Sequence, residues 1–273
     1  LVRILSFGAL HDIALASEAN TMTHNSPCKD VPDEKSPHPE LKFKRLILKI
    51  SGELLKDEST LFNLSVYDYI AQQIKIVHKL GACIGIVIGG GNILRGRDVR
   101  WLDRVDADIC GMLATIINGI TLHSKICALN VPVRLCSGIQ IQGVVDRCNP
   151  LNDRETFDNG TVLIFVGGTG NPLFTTDTAA ALRAVEFKAD VVIKATKVDG
   201  VYSADPVKVK DAIRYTTVSY EEAIQKGLRI MDLAAFNTCK EANIPIYVYD
   251  LKKHPLARVI SAGDIGTLVT GGG

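Results

Sequence analysis

Unbroken apolar runs, each followed by a stretch with helical spacing, are what most restrict the fold of this chain. They occur at Arg45–Ile50 (RLILKI), 82–88 (ACIGIVI), 161–166 (TVLIFV) and 190–195 (DVVIKA). A strand with one face in water alternates apolar and polar residues; these do not alternate, so both faces must be covered. Between the runs, Val66, Tyr69, Ile70, Gln73, Ile74 and Val77 recur at helical spacing, and Gly81 is placed to stop that helix. Residues 106–129 read as a long helix expected to bury Met112, Leu113, Ile116, Ile117 and Ile120. Residues 176–188, 219–226 and 233–242 read as further helices. Short strands are expected at 131–136, 143–146, 244–249 and 267–270, with an irregular hairpin from Val201. Strands alternating with helices, the strands buried on both sides, predict an α/β fold: a three-layer αβα sandwich around a mainly parallel sheet.

Open parallel sheets bind ligands beyond the carboxyl ends of their strands. Three strand ends here carry suitable chemistry. Lys49-Ile50-Ser51-Gly52 combines a cation with small residues that let backbone N–H groups approach one anion; the plainer reading is a surface lysine beside a turn. Gly89-Gly90-Gly91-Asn92, with Arg95 behind, removes every Cβ where a strand opens into a loop, which suits a phosphate as well as a tight turn. It is neither GxGxxG nor GxxxxGK[ST], so the Rossmann dinucleotide site and the P-loop are disfavoured. Gly167 to Thr178 places glycines, hydroxyls and Asp177 at a helix start, where Thr176 or Asp177 is the expected cap. Lys194 and Lys197 bracket Thr196 after another strand, with Asp199 and Asp205 beyond; Lys194 could screen a transferring phosphoryl group or sit on a solvated edge. Asp232 reads equally as a helix cap.

Composition bounds the rest. Lys plus Arg is 31 and Asp plus Glu 30, leaving a net charge of +1, so no global field draws the chain to nucleic acid or an anionic membrane. No run reaches the roughly 18 unbroken apolar residues of a membrane helix. The seven cysteines are odd in number and lack CxxC spacing, which predicts free, buried thiols in a reducing compartment rather than disulfides or zinc. The six histidines show no ligand spacing, so no protein-held metal is expected. Residues 1–43 hold Pro27, Pro32, Pro37 and Pro39 among polar residues without a period, which predicts a disordered tail. It makes a poor signal peptide; translation starting at Met22 and a targeting extension are the two readings of it.

The blocks KISGE at 49–53, VIGGGNILRG at 87–96, GMLATIINGI at 111–120, GTGNPLFTTDTAAALRAVEFKADVV at 168–192, KATKVDGVYSADP at 194–206 and MDLAAF at 231–236 resemble the bacterial uridylate (UMP) kinases of the amino acid kinase family. The similarity runs in order from about Lys44 to Thr270. It implies one domain over 44–273, its N-terminal half for UMP and its C-terminal half for ATP. The implied reaction is UMP + ATP to UDP + ADP with Mg2+, in pyrimidine nucleotide synthesis. It also implies a cytoplasmic, homohexameric enzyme, inhibited by UTP.

By the same resemblance, Lys49, Ile50, Ser51 and Gly52 match an ATP phosphate segment, and Gly91 and Arg95 match phosphate contacts. Thr196, Tyr202 and Asp205 match contacts near the ATP base and ribose. Gly90 matches a UMP contact, and Asp108 the carboxylate that holds the UMP ribose. Thr169, Gly170, Asn171, Pro172, Leu173, Phe174, Thr175 and Thr176 match the loop around uracil and the UMP phosphate. Asp177 resembles the carboxylate that organises the catalytic lysines, and Lys49, Arg95 and Lys194 are the expected catalytic cations. Two departures bear on effectors. Lys56 to Phe62 lacks the glycines of many relatives, and an Arg and a His of the activator site fall at His123 and Cys127. GTP activation is therefore not carried over, although Arg134 keeps a basic position. The rival readings are a family member acting on another small acceptor and a binding protein without catalysis; joint retention of Lys49, Arg95, Asp108 and Asp177 favours the enzyme.

Overall fold

The computed structural model describes residues 40–94, 99, 101–204, 206, 208, 209 and 211–271. Strand β1 (Arg45–Ile50) lies mid-sheet, paired in parallel with β2 (Cys83–Ile88) on one side and β5 (Val191–Thr196) on the other. Beyond β2 come β4 (Val162–Val166) and then β3 (Val133–Ser137). Beyond β5 come β9 (Ile246–Asp250), β10 (Thr267–Thr270) and β8 (Thr217–Ser219). Only the β9–β10 pairing in this sheet is antiparallel; β6 (Val201–Tyr202) and β7 (Arg214–Tyr215) form a separate ribbon. The chain thus builds one half of the sheet with β1 to β4, β4 filling in behind the edge strand β3, and then reverses across β1 to build the other half, β9 and β10 filling in behind the edge strand β8. That reversal opens a crevice at the carboxyl ends of β1 and its neighbours.

Two cores cover the two faces. Leu46, Leu48 and Ile50 join one, with α1 (Leu64–Lys79), α2 (Arg104–Cys127) and α7 (Leu256–Ser261). Ile47 and Val192 join the other, with α3 (Pro150–Asp158), α4 (Thr176–Glu186), α5 (Tyr220–Gln225) and α6 (Leu233–Glu241). Side chains alternate along a strand, so Lys49 and Lys194 project towards the α4 side. Helix α4 turns Ala179, Ala180, Ala181 and Ala184 inward, all 1% exposed or less. Such short side chains let its axis lie close to the sheet.

Several expectations are corrected. Helix α2 buries Met112 and Ile116, but Leu113, Ile117 and Ile120 are 40%, 47% and 42% exposed. Its inner face carries small residues instead: a Cβ at Gly119 would come within 2.2 Å of a Val166 methyl. A helix apolar all round gives periodicity no means of choosing its inner side. By length and composition α2 could also cross a membrane, yet one side of it is packed on α1 and the sheet. Residues 143–146 form no strand, only the bridges Ile141↔Val145 and Ser137↔Arg147 around them. Helix α3 was not anticipated, although Pro150 at its first turn and the Asn149 cap are its sequence signature. Helix α7 and strand β8 are too short to show a period. Among the described cysteines, Cys136 and Cys239 are buried, Cys83, Cys110 and Cys148 are half-buried, and Cys127 is exposed. The tail expected over 1–43 falls, up to residue 39, outside the described residues; Phe43 already belongs to the core.

Candidate active site

The centre of the crevice is a buried charge triad. Parallel pairing puts Lys49 of β1 directly beside Lys194 of β5. Two ammonium groups so placed repel, and they are held by one carboxylate. Asp177, in the first turn of α4, takes Lys49 Nζ at 2.8 Å on Oδ1 and Lys194 Nζ at 2.7 Å on Oδ2. Lys194 also donates to the Ile230 carbonyl at 2.6 Å. Burial alone would raise the Asp177 carboxyl; the two ammonium groups outweigh it and hold the acid below the usual carboxylate range. Burial pulls the Lys194 ammonium down and Lys49 adds to this, while Asp177 opposes both. The triad keeps a net positive charge in a low-dielectric crevice, which is what an incoming phosphate requires.

The plainer reading of Lys49 as a surface lysine beside a turn is overturned, since it is only 8% exposed. The expected cap is also corrected. Thr175, not Thr176 or Asp177, caps α4, accepting from the Asp177 and Thr178 amides. The Asp177 side chain is thereby left for the lysines. The hydroxyls of Thr175 and Thr178 donate to Asp232, which itself caps α6 by accepting from Ala235 N at 2.8 Å. Asp232 thus ties α4 to α6 beside the triad, more than the simple cap its sequence suggested.

The glycine run after β2 is shaped by close backbone approach. A Cβ at Gly90 would meet the Gly111 carbonyl at 2.8 Å and Ala114 at 2.9 Å. A Cβ on Gly52 would lie 2.4 Å from the Gly91 nitrogen. The loops after β1 and β2 therefore touch backbone to backbone. Ile50 contributes only main chain there, its side chain being in the core and its carbonyl accepting from Gly89 N at 2.9 Å.

Beyond the triad a cavity of about 520 Å3 opens between α2 and the loop after β4. Gly90, Gly91, Asp108, Asn171, Phe174, Thr175 and Thr176 line it together with Lys49, Asp177 and Lys194. Asp108 accepts on one oxygen from Arg104 Nε at 2.8 Å and from Leu173 N at 2.9 Å. Leu173 has φ +71°, an unfavourable conformation for a leucine, held here in a loop facing the cavity. Thr169 Oγ1 and the Asn171 backbone bond to each other, tightening the same loop around Gly170 and Pro172.

On the opposite side a second cavity, about 510 Å3, is lined by Thr196, Tyr202, Lys226 and Ile230. Lys194 lines both cavities. Tyr202 donates to Asp199 at 2.6 Å, and Arg214 donates to the Asp199 carbonyl at 3.0 Å, fixing this wall. The structure thus places Gly90, Gly91, Asp108, Asn171, Phe174, Thr175 and Thr176 on one cavity and Thr196 and Tyr202 on the other, joined at the triad, while Ile50, Gly52, Thr169, Gly170, Pro172 and Leu173 line neither. Ser51 stands at the start of the short turn after β1, its carbonyl accepting from Leu54 N at 3.0 Å with no capping bond from its side chain, and lines neither cavity. Arg95 and Asp205 lie outside the described residues. Sequence reasoning missed Arg104, Thr115 and Asn118; Thr115 Oγ1 accepts from Gly167 N at 2.7 Å, steadying the loop from α2. Thr115 and Asn118 signalled only as polar residues inside an apolar stretch of helix, and Arg104 as one charge among several in its first turns. Among the described residues no cluster of three His, Cys, Asp or Glu side chains could hold a metal ion.

Residues 44–250 match the model of the amino acid kinase family. The chain is 44% identical over 235 residues to the uridylate kinase of Legionella pneumophila (strain Paris), covering 85% of this chain and 95% of that one. It is 43% identical over 245 residues to the uridylate kinase of Alcanivorax borkumensis, covering 88% and 96%. The crystal structure of UMP kinase from Bacillus anthracis aligns with a TM-score of 0.80 at 35% identity, over 84% of this chain and 96% of that one.

Proposed function

This chain belongs to the amino acid kinase family, and from that premise we propose that it transfers the γ-phosphoryl group of ATP to UMP, giving UDP and ADP in pyrimidine nucleotide synthesis. The observation that carries this reading is the Lys49–Asp177–Lys194 triad between two cavities of nucleotide size. UMP occupies the cavity lined by Asp108, Asn171, Phe174, Thr175 and Thr176, and the rest of the 169–176 loop belongs to the same proposal. ATP occupies the cavity of Thr196 and Tyr202, its phosphates reaching over Lys194 to Lys49 and the 50–52 and 89–91 backbones; Arg95 and Asp205 belong to the same proposal. The acceptor atom is an anionic phosphate oxygen, so no general base is needed. Catalysis is then positioning plus relief of repulsion between two anions, work suited to fixed ammonium groups in a dry site. Magnesium arrives on the triphosphate as part of the substrate.

The test is ADP release by the full chain with Mg-ATP and UMP, CMP, dUMP or no acceptor. UMP is expected to exceed the others clearly; equal rates with all would refute the acceptor assignment. In the same assay Asp108→Asn should raise the KM for UMP about tenfold, the scale of one hydrogen bond to a charged group, with the KM for ATP within about twofold. An equal rise in both would remove Asp108 from the acceptor side.

The reading extends to a cytoplasmic homo-oligomer, hexameric in form, and to UTP competing where UMP binds. What supports association is the outer face of α2, where Val105, Ile109, Leu113, Ile117 and Ile120 are 39–47% exposed at helical spacing. A stripe of this kind is normally covered by a partner. Light scattering that returned the 29.6 kDa of one chain would reject the oligomer, and unchanged UMP saturation in the presence of UTP would reject competition.

A further inference from the structure

Asn118 sits in the middle of α2 with no exposed surface, an expensive place for a carboxamide unless all its hydrogen bonds are made. All of them are made. Its Nδ2 donates to the Gly89 carbonyl at 2.7 Å and to Asn92 Oδ1 at 2.7 Å. Its Oδ1 accepts from Tyr67 OH at 2.8 Å and from Asn92 Nδ2 at 3.1 Å. Asn92 uses its other amide hydrogen on the Leu61 carbonyl at 2.9 Å. Two donors and two acceptor sites are the full capacity of a carboxamide. The reversed amide orientation would set Nδ2 beside the Asn92 amide and Oδ1 beside the Gly89 carbonyl, so the orientation is determined by the partners.

The partners matter because of where they are. Gly89 and Asn92 are the two ends of the glycine run whose middle, Gly90 and Gly91, lines the central cavity. Three glycines have no side chains with which to hold their own conformation, and glycine loses the most backbone freedom on ordering. Asn118 grips this run at both ends from a rigid helix. The same helix carries Asp108, ten residues earlier on the acceptor side.

We propose that Asn118, paired with Asn92, is a positioning residue for phosphoryl transfer: it sets the Gly89–Gly91 backbone at the geometry the reacting phosphates require. The proposal rests on the kinase reading, and on the idea that a displaced backbone costs turnover more than affinity.

The test uses the full chain and three variants. Asn118→Ala and Asn92→Ala should each lower kcat by about 10²-fold, the scale of a misplaced reacting group, while the KM for each nucleotide moves less than about threefold. Asn118→Asp supplies the readout that lost packing alone would not produce. When ionised, the introduced carboxyl cannot donate to the Gly89 carbonyl; when protonated, it can. Burial raises the pKa of such a carboxyl. The titratable side chain bonded to position 118 is Tyr67, whose hydroxyl burial holds protonated well above neutral pH. The rate deficit of this variant, taken as a ratio to the unaltered protein at each pH, should therefore narrow about tenfold between pH 8 and pH 6 as one proton restores one bond. Amide hydrogen exchange at residues 89–92 should speed up in Asn118→Ala with the melting transition still cooperative. A flat ratio across pH, an alanine variant within twofold in kcat, or unchanged exchange at 89–92 would overturn the proposal. Exchange is read without turnover. An inactive unaltered protein with faster exchange in the variant would therefore indict the kinase reading and leave the role of Asn118 in shaping the loop intact.

Discussion

Lys49→Ala is expected to lower kcat by roughly 10²- to 10³-fold, the usual effect of deleting one preorganised group that stabilises transition-state charge. The fold should survive it. Lys49 and Lys194 stand side by side on paired strands, so removing one relieves a like-charge contact. Asp177 keeps Lys194 at 2.7 Å, and no buried charge is stranded. What disappears is the net positive charge of the triad: one cation and one anion remain where two cations faced the phosphates. Steady-state kinetics beside a denaturant melt would decide the matter. Turnover within about threefold of the unaltered protein would take Lys49 out of the mechanism, whatever its position.

Asp177→Asn is the larger structural insult. The side chain keeps its shape and loses its charge, leaving two buried ammonium groups in register with no carboxylate in contact and only the longer-range pull of Asp232 on Lys194. Breaking a buried pair in this way costs about 3–5 kcal/mol, or roughly 6–20 °C in melting temperature for a domain of this size. The deficit should depend on pH with a definite sign. Lys194 already holds its proton less tightly in the folded chain than in the unfolded one, through burial and Lys49. Without Asp177 that difference grows. The unfolded variant then binds more protons than the folded one, so its stability rises with pH. The gap between variant and unaltered protein should therefore be widest near pH 7 and should narrow towards pH 10. Urea melts at the two pH values measure it; a gap below about 1 kcal/mol, or one that widens with pH, would contradict the role given to Asp177 as the counter-ion of both lysines.

Much of this architecture was legible in one dimension. Strands buried on both faces announce themselves by composition alone, and β1, β2, β4 and β5 fall where their apolar runs do. The strand-end lysines and glycines were visible because only ligand chemistry or a turn puts such residues there. Other features were not legible. Thr175 and Thr176 are adjacent hydroxyl residues of equal capping propensity, and only the backbone angles choose between them. Helix α2 is apolar on more than one side, so its pattern could not reveal that Gly119 and Asn118 face inward while Ile117 and Ile120 face out. Asn118 carries only the faint local signal of a polar residue in an apolar helix, since its worth lies in partners on two distant segments, Tyr67 on α1 and Gly89 and Asn92 in the loop after β2.

That β1, β2, β4 and β5 are strands, that α1, α2 and α4 are helices, and that the fold is of the parallel α/β class follow from the period and composition of neighbouring residues. They could be read before any coordinates. The register of Lys49 beside Lys194, the span of Asp177 across them, and the single helix that holds the glycine run while bordering the central cavity belong to the folded chain alone. Strand order and register arise from packing between residues far apart in the chain, and no local pattern encodes that distance.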